Sequence, residues 1–216
     1  MNSVFFVFEV IGTIAFAISG ALTGMKKGMD ILGACVLGMT TAIGGGIIRD
    51  LVLGITPPSS FLNPTHALIG IAVSAFTYLP FMQKFFMINK HKTYDLIMLV
   101  ADSVGLGAFT VLGVNTCFNV IEDPNLFTAV FLGVITGVGG GVLRDVMAQN
   151  IPKIFVKNFY ASASILGALF CFVVRKCVDP LTATIVGTLL VVILRFLAAK
   201  FLWGLPKPKY FNLKED

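Results

Sequence analysis

The sequence predicts an all-α integral membrane protein, built as an inverted repeat of three plus three transmembrane helices followed by a seventh helix. Of its 216 residues, 56% are hydrophobic and only 12% are charged, whereas soluble domains carry about 25% charged residues. A seven-residue motif, GGGxxRD, also occurs twice inside apolar stretches, at 44–50 and at 139–145. The composition indicates lipid as the solvent, and the duplication indicates two related halves.

Seven apolar stretches account for most of the chain, and each is about long enough as a helix to cross a hydrocarbon core of roughly 30 Å. They lie near 3–24, 31–53, 64–82, 94–114, 126–149, 155–174 and 181–203. The first lacks a positively charged start and contains Glu9, so we expect it to remain in the mature protein rather than act as a cleaved signal peptide. The third is the shortest, because Pro64 and Pro80 bracket it.

The similarity between the halves extends beyond the motif. The matching pairs are Gly38 with Gly133, Thr41 with Thr136, Pro57 with Pro152 and, after a gap of two residues, Glu9 with Asp102, Phe16 with Phe109 and Gly20 with Gly113. Repeat one covers about 3–82, repeat two about 94–176, and the extra helix about 181–203. Because each half has three helices, the second must enter the membrane from the opposite face, which is an inverted-topology repeat.

The distribution of basic residues predicts the orientation. One side of the membrane receives the C-terminal tail, 207–216, and most lysines: Lys26, Lys27, Lys84, Lys90, Lys92, Lys153, Lys157, Lys200, Lys207, Lys209 and Lys214. The other side receives only Arg175 and Lys176. By the positive-inside rule, residues 1–206 form a membrane domain with the N-terminus outside, and the tail is cytoplasmic. These dispersed charges orient the chain and do not indicate nucleic-acid binding.

Enzymatic and metal chemistry find no support in the sequence. The chain has no nucleophile elbow, P-loop or dinucleotide fingerprint. Its four cysteines, Cys35, Cys117, Cys171 and Cys177, follow no metal-binding spacing, and His66 and His91 lie far apart. We therefore expect no catalytic residues, no metal site and no cofactor.

The glycine triplets are the strongest candidates for an ion pathway. Each glycine costs about 1 kcal/mol relative to alanine inside a helix, so three in a row predict a break in helices two and five. A break would leave free carbonyls at a partly negative half-helix end, which favours a cation near the midplane. The candidates are Gly44, Gly45, Gly46, Gly139, Gly140 and Gly141, with hydroxyls from Thr41 and Thr136. Close helix packing at the glycines is the structural alternative.

Charged residues follow each triplet, at a cost of roughly 2.5–3.5 kcal/mol per charge at membrane depth. They are Arg49 and Asp50 in the first half and Arg144 and Asp145 in the second. Two interpretations remain open, in which the charges gate the pathway or brace the structure. Since adjacent residues of a helix point about 100° apart, we expect Arg49 to pair with Asp102 rather than Asp50, and Arg144 with Glu9.

Two further matching pairs belong to helices one and four. Glu9 and Asp102 are intramembrane acids, which are functional by default, although both lie near the predicted membrane boundary. Phe16 and Phe109 are either packing residues or a hydrophobic constriction of the pathway.

The doubled motif, the three-plus-three-plus-one layout and the closing Arg195…Trp203-Gly204-Leu205-Pro206 resemble the prokaryotic branch of the trimeric intracellular cation (TRIC) channel family. The same family is also labelled a bacterial glycine-transporter domain family. The resemblance extends to about Pro206. It implies a homotrimer in the plasma membrane of a prokaryote, surrounded by lipid, in which each protomer encloses a pore for monovalent cations, chiefly potassium. It also implies that helices two and five line that pore and are kinked at the triplets.

The leading hypothesis is therefore a potassium channel gated by bending at the two triplets. The alternative is a secondary transporter for glycine or another small zwitterion, because an arginine and an aspartate near broken helices suit a carboxylate and an ammonium group. A seven-helix receptor or light-driven pump is disfavoured, since helix seven has no midspan lysine and the repeat would be unexplained.

Overall fold

A computed structural model describes residues 3–87, 92–156 and 159–203, and the regular structure in these ranges is entirely helical. The tail at 207–216 lies outside them, as do Lys90, His91, Lys157 and 204–206. The helices are α1 Ser3–Lys26, α2 Ile31–Val52, α3 Ser59–Leu62, α4 Thr65–Thr77, α5 Pro80–Met87, α6 Lys92–Val120, α7 Leu126–Met147, α8 Lys153–Val156, α9 Tyr160–Arg175 and α10 Pro180–Lys200.

Membrane-spanning length is reached by five of these helices, namely α1, α2, α6, α7 and α10. The third predicted span is instead a bent pair, because α4 and α5 meet at an angle of 73°. Pro80 begins α5, and proline both fixes its own backbone and disfavours helix at the residue before it. The apolar helix α9 is shorter, at 16 residues. The all-α membrane fold is confirmed, with seven apolar segments in the predicted places.

The helices pack as two groups of three. In the first group α1, α2 and α4 contact one another, and in the second α6, α7 and α9 do so. Contacts between α1 and α6 and between α2 and α7 join the groups, while α10 packs on α6 and α9. The first face of the molecule is where α1 begins and α6 ends, and the second face is where α1 ends and α6 begins.

The same helix ends recur in both groups. The Asp30 carboxylate accepts a hydrogen bond from the Gly33 N–H at the start of α2 (2.7 Å), and the Asn125 side chain accepts one from the Thr128 N–H at the start of α7 (2.8 Å). Both caps satisfy N–H groups that lack a partner within the helix. Since α2 starts at the second face and α7 at the first, the two motif-bearing helices run in opposite directions.

Close contacts between helices also recur. A Cβ atom at Gly20 of α1 would lie 2.6 Å from the Cα of Gly38, and one at Gly113 of α6 would lie 2.8 Å from the Cα of Gly133. Only glycine permits backbones to approach this closely. These contacts give a physical meaning to the sequence match between the two halves.

The expected helix breaks are absent from α2 and α7, which run as α-helix through both glycine triplets. The prediction of two half-helix ends with free carbonyls was therefore wrong. Tertiary packing on both sides of a helix outweighs the weak intrinsic propensity of glycine.

Candidate functional site

The central glycine of each triplet lies where α2 crosses α7. A Cβ atom at Gly45 would overlap the carbonyl oxygen of Thr136, and one at Gly140 would overlap the carbonyl oxygen of Thr41. The obstacle in each case is backbone, which cannot turn aside as a side chain can. Close packing, the structural alternative named above, thus explains these two glycines in this conformation.

The other four glycines are less constrained by backbone. A Cβ atom at Gly44 would meet the Leu143 side chain, and one at Gly139 would lie 3.1 Å from the Cα of Gly45. Gly46 has the most space, since its nearest neighbour would be the Arg49 Nη2 atom at 3.8 Å. At Gly141 the Tyr160 hydroxyl would be 3.2 Å away.

The two threonines of the predicted ion pathway are fully buried. The Thr41 hydroxyl donates to the Leu37 carbonyl (2.6 Å), and the Thr136 hydroxyl donates to the Leu132 carbonyl (2.5 Å). Each hydroxyl proton is therefore used within its own helix. The oxygen lone pairs remain the only part of these side chains that could face a cation.

Phe16 and Phe109 form a stacked pair at the centre of the molecule, with ring centroids 5.3 Å apart and an interplanar angle of 26°. Phe16 packs against Gly105, and Phe109 packs against Gly12, where a Cβ atom would lie 2.9 Å from the ring. The two rings thus make equivalent contacts in the two halves. Both are buried, so in this conformation the pair forms a closed apolar contact.

A cavity of about 520 Å³ lies at the first face and is lined in part by Phe109 of this aromatic pair. Phe109 and Leu112 form part of its lining, and Ala42, Ile43 and Gly46 contribute the α2 side. Its polar wall includes Thr13, Ser59, Asn63, Asn115, Thr116 and Asn119. We call this space the first-face cavity.

Charged groups of both signs line the first-face cavity. The Arg49 guanidinium donates from Nη2 and Nε to the Asp50 carboxylate (2.7 and 2.9 Å). The Glu9 carboxylate pairs with His66 Nε2 at 3.2 Å. Arg175 donates to the Asn115 side chain and lies 4.8 Å from the centroid of the Phe118 ring. Cation and acid are therefore both present, but Arg49 and Glu9 do not pair.

A buried network of charges occupies the second face, between α1, α6, α7 and α8. Arg144 donates from Nη1 to the Asp102 carboxylate (2.6 Å) and to the Ser19 hydroxyl, and from Nε to the Asp145 carboxylate (2.8 Å). Lys153 Nζ donates to the other Asp102 oxygen (2.9 Å). We call these five residues the second-face network. Burial lowers the pKa of the Lys153 ammonium, while the nearby Asp102 carboxylate opposes that shift.

The predicted pairing of the charges was wrong in both halves. Arg49 binds Asp50 rather than Asp102, and Arg144 binds Asp102 and Asp145 rather than Glu9. In each repeat the motif arginine and the matching acid lie at the same face: Arg49 and Glu9 at the first face, and Arg144 and Asp102 at the second. Asp102 therefore lies beside Arg144 and far from Arg49. An arginine side chain is also long enough to reach the carboxylate of the adjacent aspartate.

The motif aspartates brace the loops that follow α2 and α7. The second Asp50 oxygen accepts from the Ser59 N–H at the start of α3, and the second Asp145 oxygen accepts from the Lys153 N–H at the start of α8, both at 2.9 Å. Sequence reasoning missed this role, together with Ser19, His66 and Lys153. The matching Pro57 and Pro152 were the one sequence signal that the loops are equivalent.

Sequence comparison places relatives along nearly the whole chain. A family model described as glycine transporter matches residues 6–81 and 99–176. The UPF0126 inner membrane protein YadS of Escherichia coli K12 is 38% identical over 210 residues, covering 94% of this chain and 94% of that protein. A UPF0126 membrane protein of Deinococcus radiodurans is 36% identical over 197 residues, covering 89% of this chain and 86% of that protein.

Solved structures with this fold are cation channels by name. A prokaryotic TRIC channel in 0.5 M KCl matches with a TM-score of 0.86 and 32% identity, over 95% of this chain and 100% of that one. A chain from work on the structural basis for conductance through TRIC cation channels matches with a TM-score of 0.81 and 39% identity, over 94% and 96%. A TRIC channel orthologue from Rhodobacter sphaeroides matches with a TM-score of 0.83 and 30% identity, over 93% of this chain and 99% of that one.

Proposed function

This chain belongs to the TRIC family, which the glycine-transporter model also describes, and from that premise we propose that it is a cation channel with an ion path through each protomer. The observation that carries the proposal is the first-face cavity, which reaches from one face of the molecule to Phe109 of the central aromatic pair. A cavity lined by so many polar and charged groups suits a hydrated ion rather than a lipid tail.

In the proposed path, α2 and α7 supply the lining and the closed points lie in series. Gly46 already faces the first-face cavity. Beyond it stand the Phe16–Phe109 stack and the crossing at Gly45 and Gly140, and then the second-face network. Opening therefore requires α2 and α7 to separate at the crossing. This replaces bending at a helix break, the gating motion first expected from the sequence.

The proposal includes the finer properties expected of the family. The permeant ion is potassium or another monovalent cation, attracted at the first face by the Glu9 carboxylate, and the assembly is a homotrimer of this chain in membrane lipid. The exposed apolar side chains on α1, α6 and α10 are available to lipid or to neighbouring protomers. No cofactor is needed for passive conduction.

Purified protein in a planar lipid bilayer is expected to give unitary potassium currents, because a continuous aqueous path conducts many ions per opening. The measurement is single-channel recording in potassium chloride, with protein-free bilayers as the control. Absence of unitary current, together with saturable glycine uptake into proteoliposomes, would overturn the channel assignment.

A secondary transporter for glycine or another small zwitterion is the second candidate. The favouring observation is that the first-face cavity holds the Glu9 carboxylate and the guanidinium groups of Arg49 and Arg175. Such a set could bind an ammonium group and a carboxylate at the same time. Counter-transport of labelled glycine, with no unitary current, would favour this candidate.

The proposed orientation puts the first face outside and the second face in the cytoplasm. A fluorescent reporter that folds only in the cytoplasm should therefore fluoresce when fused to the C-terminus. A reporter active only outside should work when inserted between α6 and α7, at 121–125. Loss of signal from both reporters, with fluorescence when the cytoplasm-only reporter is placed at 121–125, would reverse the orientation.

A further inference from the structure

We propose that each half carries its own closing ion pair: Arg144–Asp102 closes the second face in the form described here, and an Arg49–Glu9 pair closes the first-face cavity in a second form. The protein would exchange one pair for the other through a conducting form in which neither pair is made. The proposal rests on the proposed path through the protomer, but it concerns access to that path and not the identity of the permeant.

Equivalent positions support such an exchange. Glu9 and Asp102 match in the repeat, as do Arg49 and Arg144. The surrounding backbone is also equivalent, because the Ile55 N–H donates to the Asp50 carbonyl and the Asn150 N–H donates to the Asp145 carbonyl, both at 2.8 Å. The two arginines therefore leave their helices in the same local setting.

The side chains nevertheless adopt different arrangements. At the second face, Arg144 and Asp102 pair at 2.6 Å with exposed side-chain fractions of 0% and 2%. At the first face, Arg49 and Glu9 stand in the wall of one cavity without pairing, and His66 holds Glu9 instead. The second face is thus closed by the Arg144–Asp102 pair, whereas the equivalent Arg49–Glu9 pair is not made at the first face.

An inverted repeat makes the mirrored arrangement accessible. When two halves share a fold in opposite orientations, each can adopt the conformation seen in the other, and the exchange opens one face as it closes the other. In this chain the mirrored form would bring Glu9 from α1 against Arg49 from α2, across the space that the first-face cavity now occupies.

A difference between the halves explains which form is observed. Lys153 supplies a second cation to Asp102, whereas the residue whose N–H makes the equivalent hydrogen bond to Asp50 is Ser59, which has no charge. The Arg49–Glu9 pair would therefore lack an ammonium partner. The form closed at the second face is accordingly the more populated one.

The test measures how fast a cysteine in the first-face cavity reacts with a charged methanethiosulfonate reagent. The reporter is Thr116→Cys, in a Cys177→Ser background that removes the exposed native thiol, with full-length protein in lipid nanodiscs. Ser59→Lys adds the missing cation without touching the second-face network. We expect it to slow labelling by about fivefold, because it favours the closed form of the cavity.

Two comparisons give this test its meaning. Ser60→Lys adds the same charge beside the cavity at a position that does not match Lys153, so it should leave labelling nearly unchanged. Adding Glu9→Gln to Ser59→Lys should restore fast labelling, because the pair can no longer form. Equal slowing by both lysines, or slowing that survives Glu9→Gln, would overturn the proposal.

A second variant weakens the second-face pair instead of strengthening the first-face pair. Asp102→Asn weakens the Arg144 pair and should also slow labelling of Thr116→Cys, again only while Glu9 is present. Gel filtration and thermal unfolding show whether this variant is folded, and the Ser59→Lys series stands without it. Normal unitary potassium current with labelling unaffected by any variant would reject the exchange while leaving the channel intact.

Discussion

Replacing Arg144 with methionine is expected to lower the free energy of unfolding by about 3–5 kcal/mol, the cost of leaving a buried charge without its partner. Arg144 is fully buried, and it joins Asp102 and Asp145 to the Ser19 hydroxyl of the other repeat. Its loss would leave two buried carboxylates and, among the described residues, Lys153 as the cation that still pairs with Asp102. Unfolding in mixed detergent micelles, followed by circular dichroism, measures the change.

Arg49→Met is the matched control for this prediction. Arg49 occupies the same position in the first repeat, but its side chain is 12% exposed and borders the first-face cavity. The Asp50 carboxylate is buried beneath Arg49, but truncation of Arg49 would open it to the first-face cavity while it keeps its hydrogen bond from the Ser59 N–H. The loss should therefore be about 1 kcal/mol, the usual value for a partly exposed pair. Equal losses for the two variants would show that burial does not set the strength of the second-face network.

The interaction between the network members can be isolated with Asp102→Asn. In the double variant with Arg144→Met, the carboxylate that Arg144 neutralises is gone. The combined loss should therefore be smaller than the sum of the two single losses, by an amount in the range of about 0.5–3 kcal/mol typical of residues in contact. Strict additivity would mean that the two side chains stabilise the fold independently.

The repeat itself was predictable from sequence because small residues mark close contacts. In the alignment of the halves Gly20 matches Gly113, and Gly38 matches Gly133. In the structure Gly20 packs against Gly38, and Gly113 packs against Gly133. Such contacts depend on residue identity at single positions. The matching glycines can therefore be recognised in the sequence, even though the helices of the two halves run in opposite directions.

The state of the glycine triplets was not predictable in the same way. Three glycines disfavour helix locally, but whether a helix breaks depends on what packs against it. Here the backbone of the partner helix lies against Gly45 and Gly140, and the helices are continuous. Propensity alone cannot weigh that contact, because it depends on residues in the other half of the chain.

Ion-pair partners were the least predictable feature. His66 holds Glu9 and Lys153 holds Asp102, yet both come from segments whose position depends on the loops after α2 and α7. The path of those loops follows from the backbone hydrogen bonds of Ser59 and Lys153 to the motif aspartates. No spacing rule in the sequence expresses such a contact.

Gly45→Ala is expected to lower the free energy of unfolding by about 1–3 kcal/mol, the range for an extra methyl group in a well-packed contact. The new Cβ atom would overlap the Thr136 carbonyl oxygen, so α2 and α7 must move apart. Gly140→Ala should behave alike, because its Cβ atom would overlap the Thr41 carbonyl oxygen. Thermal unfolding measures stability, and bilayer recording measures open probability, which should rise as the crossing loosens.

Gly46→Ala separates packing from flexibility, since it changes the next residue of the same triplet. Its Cβ atom would have no neighbour closer than 3.8 Å, so the variant should gain about 0.5–1 kcal/mol from the higher helix propensity of alanine. If gating depended on a flexible triplet, Gly45→Ala and Gly46→Ala would reduce opening alike. If it depends on separation of α2 and α7, only the central substitutions will change it, and they will increase it. Similar effects of all three alanine variants would therefore count against the crossing as the closed point of the path.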